Sequence, residues 1–318
     1  MIGFWDFQLA GAELGRSAAG FWGDHRLNKF AAVTLVGLLL CTGTLPAQQP
    51  LDLAKVVEAL DKDGRVALDK GNVLALTYDY TVDGDSVEAI AFRPAADGKY
   101  PAVLLIPGYS KTARDYIPMG LRLAKEGFAC IAVTPRGFGK SAGKPDFVGP
   151  KTIAALEAGF QKFRKEPYVD GSRMGVFGYS RGAMAASLLA VRLKDTELQA
   201  AVFAAGIYDF KKAYAAIKLP GIRENMEAEA GLSEAAVQAR TSVTKMATLA
   251  CPVLILHGEK DENAPVGQAY LLRDRLTELK KEFELKTFPD RDHDLGRQNL
   301  YDHTLAFFKR KLTADKPK

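Results

Sequence analysis

The sequence predicts an α/β protein with a mostly parallel sheet and helices on both of its faces. Short apolar runs, such as 102–106, 129–133 and 174–177, alternate along the chain with segments of helical spacing. The chain has 318 residues, of which 47% are hydrophobic and 25% charged, so it can bury a large core. No internal repeat is found along it. This composition excludes fibres, solenoids and polytopic membrane proteins.

Apolar runs predict eight strands, at 73–82, 86–92, 102–106, 129–133, 174–177, 200–203, 253–256 and 283–288. Helical spacing predicts helices at 51–60, 116–124, 152–163, 182–193 and 268–281, and a last helix near residues 301–312. The turn residues Asp83, Gly84 and Asp85 join the first two strands into a hairpin. Because a hairpin is antiparallel, the predicted eight-stranded sheet is mixed.

A charged, helix-like segment separates the sixth and seventh predicted strands. It covers residues 206–250 and is long for a connection inside one domain. Such a segment commonly lies over one end of the sheet, so we predict a small helical lid. The alternative is a solvent-exposed segment that has no functional role.

The N-terminal segment differs in composition from the rest of the chain. Arg26 and Lys29 precede an uncharged apolar run at 30–40, and Ala47 follows in a small-residue context. This order is typical of a secretory signal peptide, and the run is too short to span a bilayer. We therefore expect residues 1–47 to be an N-terminal extension and cleaved signal peptide, and residues 48–318 to be one secreted or periplasmic domain that meets a membrane only during export. Cys41 makes a lipoprotein the minor alternative.

The charge pattern and the residue spacing exclude several kinds of partner. The net charge is +5, but lysines and arginines are scattered among acidic residues, so no nucleic acid is expected. Residues 139–141 resemble the end of a phosphate-binding loop, yet Thr134 stands where that loop needs glycine. No cysteine or histidine pair has metal-ligand spacing, so we expect neither a metal nor a cofactor.

A nucleophile motif lies between a predicted strand and a predicted helix. The sequence Gly178-Tyr179-Ser180-Arg181-Gly182 has the pattern G-x-S-x-G. In this context the pattern forms a sharp turn that exposes the serine hydroxyl above the sheet, and the flanking glycines allow strand and helix to approach. Ser180 is the predicted nucleophile.

The serine needs a base, and the base needs a carboxylate to orient it. His293 follows the last predicted strand in a polar loop, which makes it the candidate base, whereas His303 lies on the last helix. Asp261 comes just after the strand at 253–256, where a parallel sheet gathers its site residues, and is the candidate acid. Asp209 is the rival acid, and His257 is expected to be structural.

Two backbone N–H groups are expected to stabilise the oxyanion that forms when the serine attacks a carbonyl carbon. One belongs to Arg181, directly after the nucleophile, and the other to Tyr109, in the turn after the third predicted strand. The Tyr109 phenol could also donate a hydrogen bond, or its ring could form a pocket wall.

Together these residues resemble the α/β-hydrolase superfamily over about residues 73–312, and they are most similar to the prolyl-oligopeptidase catalytic domain and to dienelactone-hydrolase-like serine esterases. The resemblance is carried by Gly178 to Gly182, by the loop 135–141, by the turn from His257 to Asp261 with Pro265, and by His293. It implies an α/β-hydrolase fold. Two departures stand out: Pro107-Gly108 replaces a His-Gly pair, and Ser180 replaces the cysteine nucleophile of the dienelactone type.

The resemblance implies an exported serine hydrolase that cleaves a carboxylic ester through a Ser-His-Asp acyl-enzyme mechanism. Oligopeptidases of this kind carry a large propeller, and only residues 48–101 lie between the predicted signal peptide and the third strand. We therefore expect a small-molecule ester as substrate. A prolyl-oligopeptidase-like peptidase or amidase acting on a short peptide is the alternative, and a catalytically inactive binding protein of the same fold is a further one.

Overall fold

A nine-stranded sheet is the centre of this computed structural model, which describes residues 51–313. The predicted signal peptide at 1–47 lies outside the described residues. Among the helices that are described, none is long and apolar enough to cross a membrane.

The strands and helices alternate as the apolar pattern predicts. The strands are β1 (Arg65–Leu68), β2 (Val73–Thr77), β3 (Tyr80–Val82), β4 (Asp85–Val87), β5 (Ala89–Pro94), β6 (Tyr100–Ile106), β7 (Ala129–Val133), β8 (Val169–Tyr179), β9 (Ala200–Ala204), β10 (Val253–Gly258) and β11 (Phe283–Phe288). The helices are α1 (Leu53–Asp63), α2 (Ile117–Lys125), α3 (Pro150–Phe163), α4 (Arg181–Ala190), α5 (Phe210–Ala216), α6 (Pro220–Ala230), α7 (Glu234–Arg240), α8 (Gly267–Glu278) and α9 (Arg297–Phe308).

The sheet is mixed, with the order β1-β2-β5-β7-β6-β8-β9-β10-β11. Six neighbouring strands, β7, β6, β8, β9, β10 and β11, run parallel to one another. The strands β1, β2 and β5 pair antiparallel with one another, and β5 pairs antiparallel with β7. This arrangement confirms the mostly parallel sheet. Because the carboxyl ends of the parallel strands meet at one edge, the loops that follow β6, β8, β10 and β11 gather there.

Two details differ from the prediction. The sheet has nine strands rather than eight, because β1 was missed: this short edge strand begins with an exposed arginine, Arg65, and alternates in burial, so it leaves no apolar run. The turn at 83–85 joins β3 to β4 in a separate two-stranded sheet, while β2 and β5 pair directly in the main sheet. The long predicted strands are therefore each broken in two.

The two faces of the sheet are both covered, which explains why the inner strands β7, β9 and β10 are buried along their whole length. Along β6, Leu104 and Ile106 contribute to one core cluster and Val103 and Leu105 to the other, as alternation along a strand requires. Buried residues of α3, α4 and α8 belong to the first cluster, and those of α1, α2 and α9 to the second.

The segment at 206–250 contains α5, α6 and α7, which follow β9. Phe210 and Met226 from this segment are fully buried in the first core cluster, so it packs firmly on the domain. Its function as a lid stays a prediction.

Helix α2 lies unusually close to strand β5 at Gly120. A Cβ atom at this position would come within 2.3 Å of the ring of Phe92, which is fully buried. The glycine therefore allows the close contact, although glycine weakens a helix interior.

We expect Gly120→Ala to lower the free energy of unfolding by about 1–3 kcal/mol, because overpacking at Phe92 outweighs the better helix propensity of alanine. Urea unfolding followed by circular dichroism measures this. Gly221→Ala in α6 is the matched control, since a Cβ there meets nothing within 4 Å and should leave the stability equal or higher. Equal stability of the two variants would contradict the prediction.

Candidate active site

Ser180 occupies a strained turn between β8 and α4. Its backbone has φ 57° and ψ −122°, a left-handed region that non-glycine residues rarely adopt. A Cβ on Gly178 would come within 2.1 Å of the carbonyl oxygen of Gly182, and a Cβ on Gly182 within 2.1 Å of that of Ile106. Both glycines are therefore required for this turn. The Ser180 N–H donates to the carbonyl of Ala204 at 2.8 Å, which ties the turn to the end of β9.

The structure brings Ser180, His293 and Asp261 into one hydrogen-bonded row. The Oγ of Ser180 lies 2.8 Å from Nε2 of His293, and Nδ1 of His293 lies 2.8 Å from Oδ2 of Asp261. Because the carboxylate accepts the Nδ1 proton, Nε2 is free to accept the serine proton. This geometry suits a nucleophile, a general base and an orienting acid.

The carboxylate of Asp261 is buried in the turn after β10 and is held by several donors. Its Oδ1 accepts the backbone N–H groups of Asn263 at 2.9 Å and Ala264 at 2.8 Å. Burial by itself raises the pKa of Asp261, but hydrogen bonds from His257 and His293 outweigh it and lower the pKa to about 2. Asp261 is therefore ionised at neutral pH and can stabilise an imidazolium.

His257 is fully buried beside the acid and contacts it directly. Its Nε2 lies 2.6 Å from the carbonyl oxygen of Ala264, to which it donates, and 3.3 Å from Oδ2 of Asp261. The sequence predicts a structural role for His257 and does not reveal this contact. The signal was its place four residues before Asp261, at the end of a strand whose following turn folds back.

The other predicted candidates lie elsewhere. Asp209 caps the N-terminus of α5, where its side chain accepts the backbone N–H of Lys212 at 2.9 Å. The ring of His303 on α9 packs against that of Phe288, with centroids 5.6 Å apart. Neither is hydrogen-bonded to Ser180 or His293 within the described chain.

Tyr179 supports the loop of His293, a role that sequence reasoning missed. Its hydroxyl donates to the backbone carbonyl of His293, and the two rings lie 5.5 Å apart between centroids. At Gly258 a Cβ would come within 2.0 Å of the carbonyl oxygen of Asp292, so this loop packs closely on the end of β10. Tyr179, the residue before the nucleophile in the G-x-S-x-G motif, therefore helps to position the base, His293.

The two residues that are predicted to supply the oxyanion donors lie close to Ser180, Arg181 next to it in the chain and Tyr109 in a neighbouring turn. A Cβ on Gly108 would lie 3.4 Å from the Cβ of Ser180, so the turn that carries Tyr109 lies against the nucleophile. Arg181 is the first residue of α4, and the first N–H groups of a helix have no acceptor within it. The side chain of Tyr109 is 45% exposed and packs edge-on against Phe138.

This fold and this site define a serine hydrolase with the α/β-hydrolase fold. The sequence model that describes the prolyl oligopeptidase family matches residues 121–315 of this chain. The chain therefore belongs to that family. Among the residues that the structure describes, no group of His, Cys, Asp and Glu side chains could hold a metal ion.

Three known proteins show the extent of the similarity. An uncharacterized peptidase of Bacillus subtilis, YtmA, is 30% identical over 67% of this chain and 83% of its own length. Pyrococcus horikoshii acylaminoacyl peptidase has a TM-score of 0.67 at 19% identity, covering 78% of this chain but 43% of that one. Acetyl xylan esterase from Paenibacillus sp. R4 also has a TM-score of 0.67, at 16% identity, covering 82% of this chain and 93% of that one. The two structures share the fold.

The low pKa of Asp261 makes part of the folding stability depend on pH. A carboxylate with a lower pKa in the folded chain stabilises the fold above its unfolded pKa, here 3.8, and this contribution is lost as the pH falls through the folded value of about 2. We expect the difference in free energy of unfolding between wild type and Asp261→Asn to shrink between pH 4 and pH 2. Urea unfolding at several pH values measures it.

Asp290→Asn is the control, since it removes an exposed carboxylate near the same site. A difference between wild type and Asp261→Asn that grew on acidification would contradict the expectation.

Proposed function

We propose that this protein hydrolyses a carboxylic ester through an acyl-enzyme formed on Ser180. The observation that carries the proposal is the row of two 2.8 Å hydrogen bonds that links Ser180 to His293 and His293 to Asp261. The left-handed backbone of Ser180 supports it, because a strained turn of this kind exposes a serine hydroxyl at the edge of the sheet.

In the proposed mechanism, Oγ of Ser180 attacks the ester carbonyl carbon while Nε2 of His293 takes its proton. Asp261 stabilises the imidazolium, and the N–H groups of Tyr109 and Arg181 bind the oxyanion. The imidazolium then protonates the leaving alcohol oxygen, and the C–O bond breaks to give the acyl-enzyme. Water, deprotonated by His293, attacks this ester, and the acid product leaves with Ser180 restored.

The choice of an ester over an amide rests on chemistry and on the comparisons. The triad serves both reactions, but an alcohol leaves more readily than an amine, so a site of this kind cleaves the ester of a given acid faster. A Streptomyces coelicolor relative, 26% identical over 48% of this chain, is named bis(hydroxyethyl) terephthalate hydrolase. These observations support ester hydrolysis as the main activity.

A peptidase is the second candidate, and its support is the family. The family model is that of the prolyl oligopeptidases, and the relative from Bacillus subtilis is named a peptidase. In that case the substrate is a short peptide, and His293 protonates the leaving amine.

Labelling with a fluorophosphonate probe tests the nucleophile. We expect the wild type to be labelled and Ser180→Ala to remain unlabelled and to lose about 10⁶-fold in kcat, as with other serine hydrolases of this mechanism. Ser172→Ala, which removes an exposed hydroxyl that donates to Asp170 at 2.7 Å, is the control and should be labelled normally. A folded wild type that is not labelled would contradict the proposed acyl-enzyme mechanism.

The same samples test whether amide cleavage equals or exceeds ester cleavage. We expect kcat/KM for p-nitrophenyl acetate to exceed that for aminoacyl p-nitroanilides by at least about 10²-fold, because the ester has the better leaving group and the site makes transition-state contacts common to both. The matched comparison is alanine p-nitrophenyl ester beside alanine p-nitroanilide. Equal or higher values for the anilides would assign the protein to the peptidases.

We also propose that the protein is exported. The support is the order of the basic residues Arg26 and Lys29, the apolar run 30–40 and the small-residue context of Ala47. On expression in a bacterium, N-terminal sequencing of the periplasmic fraction is expected to begin at Gln48. A protein that stays in the cytoplasm with its first residues intact would contradict export.

A further inference from the structure

His257 is a fully buried histidine directly beside the acid of the hydrogen-bonded row, and the proposed mechanism does not use it. It lies near the end of β10, four residues before Asp261, and its side chain is not exposed at all. Polar groups at such a depth are costly unless they are hydrogen-bonded, so the contacts of the two ring nitrogens define what this residue can do.

One ring nitrogen of His257 is a fixed donor. Its Nε2 lies 2.6 Å from the carbonyl oxygen of Ala264, and a carbonyl oxygen can only accept, so a proton is on Nε2. The other nitrogen, Nδ1, is buried and has no hydrogen-bond partner among the residues that the structure describes. The bond through Nε2 is therefore the one that orients the ring.

Ala264 links this donor to the carboxylate of Asp261. Its carbonyl oxygen accepts from His257, while its own N–H donates to Oδ1 of Asp261 at 2.8 Å. The N–H of Asn263 donates to the same oxygen at 2.9 Å. Because two donors from one turn hold Oδ1, the orientation of the carboxylate follows the position of that turn. His257 fixes the turn at Ala264.

The second oxygen of the carboxylate faces both histidines. Oδ2 of Asp261 lies 2.8 Å from Nδ1 of His293 and 3.3 Å from Nε2 of His257. A carboxylate that moved with its turn would lose the alignment with Nδ1 of His293, on which the tautomer and the orientation of the base depend. The position of His257 thus bears on the base through the acid.

We propose that His257 is a positioning residue for the acid: by holding Ala264, it keeps the carboxylate of Asp261 aligned with the base. The proposal rests on the proposed acyl-enzyme mechanism and adds to it a residue that acts only through Asp261. The carboxylate stabilises an imidazolium that forms as Ser180 is deprotonated. Misalignment therefore slows the reaction and leaves substrate binding unchanged, because the interaction is made in the transition state.

The variants His257→Leu and His257→Gln test the proposal. Leucine has no donor, and we expect it to lower both kcat for p-nitrophenyl acetate and the fluorophosphonate labelling rate by about 10–10²-fold, with KM within about twofold of wild type. Glutamine keeps an N–H donor and is expected to restore most of both rates. His303→Leu is the matched control, because that ring packs against Phe288 with centroids 5.6 Å apart and its loss should leave both rates unchanged.

The same substitution in an Asp261→Ala background separates positioning from a general loss of structure. Because His257 acts through the carboxylate, His257→Leu should cost no further activity once the carboxylate is gone, whereas independent effects would multiply. An equal fold loss in both backgrounds overturns the proposal. A folded His257→Leu variant that is labelled at the wild-type rate overturns it as well.

Spectroscopy of the wild type keeps the test independent of whether the leucine variant folds. Long-range proton–nitrogen correlation spectra are expected to show a proton on Nε2 of His257, and a ring with its only proton on Nδ1 overturns the proposal. Failure of the proposed function is seen separately. A folded wild type that is never labelled overturns the acyl-enzyme mechanism and this proposal with it, whereas failure of ester hydrolysis alone leaves the comparison of labelling rates decisive.

Discussion

The left-handed backbone of Ser180 is the constraint on which the rest of the site depends. It requires β8 and α4 to meet so closely that Gly178 and Gly182 have no room for a Cβ, and it places the start of α4 against the end of β6. The nucleophile, one helix N–H and the turn of Tyr109 are thereby brought to the same point. The strain is supported by the buried parallel sheet on either side, since the backbone of Ser180 is also bonded to the end of β9.

The acid and the base are positioned by a second set of contacts, at the end of β10. A buried carboxylate would ordinarily be neutral, but Asp261 is surrounded by backbone and imidazole donors that favour its charged form. The same turn holds His257 against the acid, and Tyr179 holds the backbone of His293 from the opposite side. The turn that carries Ser180 and the loop that carries His293 are therefore linked through two adjacent residues, Tyr179 and Ser180.

The helical segment at 206–250 is joined to this centre by one ion pair. Glu229 reaches the residue directly after the nucleophile, so the insertion contacts the turn of Ser180 without supplying any of the three residues in the hydrogen-bonded row. Insertions that follow a sheet edge commonly differ between relatives that share a fold.

The sequence by itself determined the class of fold and the turn at Ser180, because both depend on local patterns: apolar runs alternating with helical spacing, and glycines beside a serine between a strand and a helix. It also pointed to Asp261 and His293, since each follows a strand at the edge where loops of a parallel sheet meet. The short edge strand β1 left no such pattern, and the turn residues at 83–85 did not reveal that β3 and β4 form a separate sheet. Only the tertiary structure decided that His257 contacts the acid, that Tyr179 supports His293 and that Glu229 fixes Arg181. Tyr179 and His293, like Glu229 and Arg181, are far apart in the sequence, so no local pattern reports their contacts, which depend on how the loops fold back over the completed sheet.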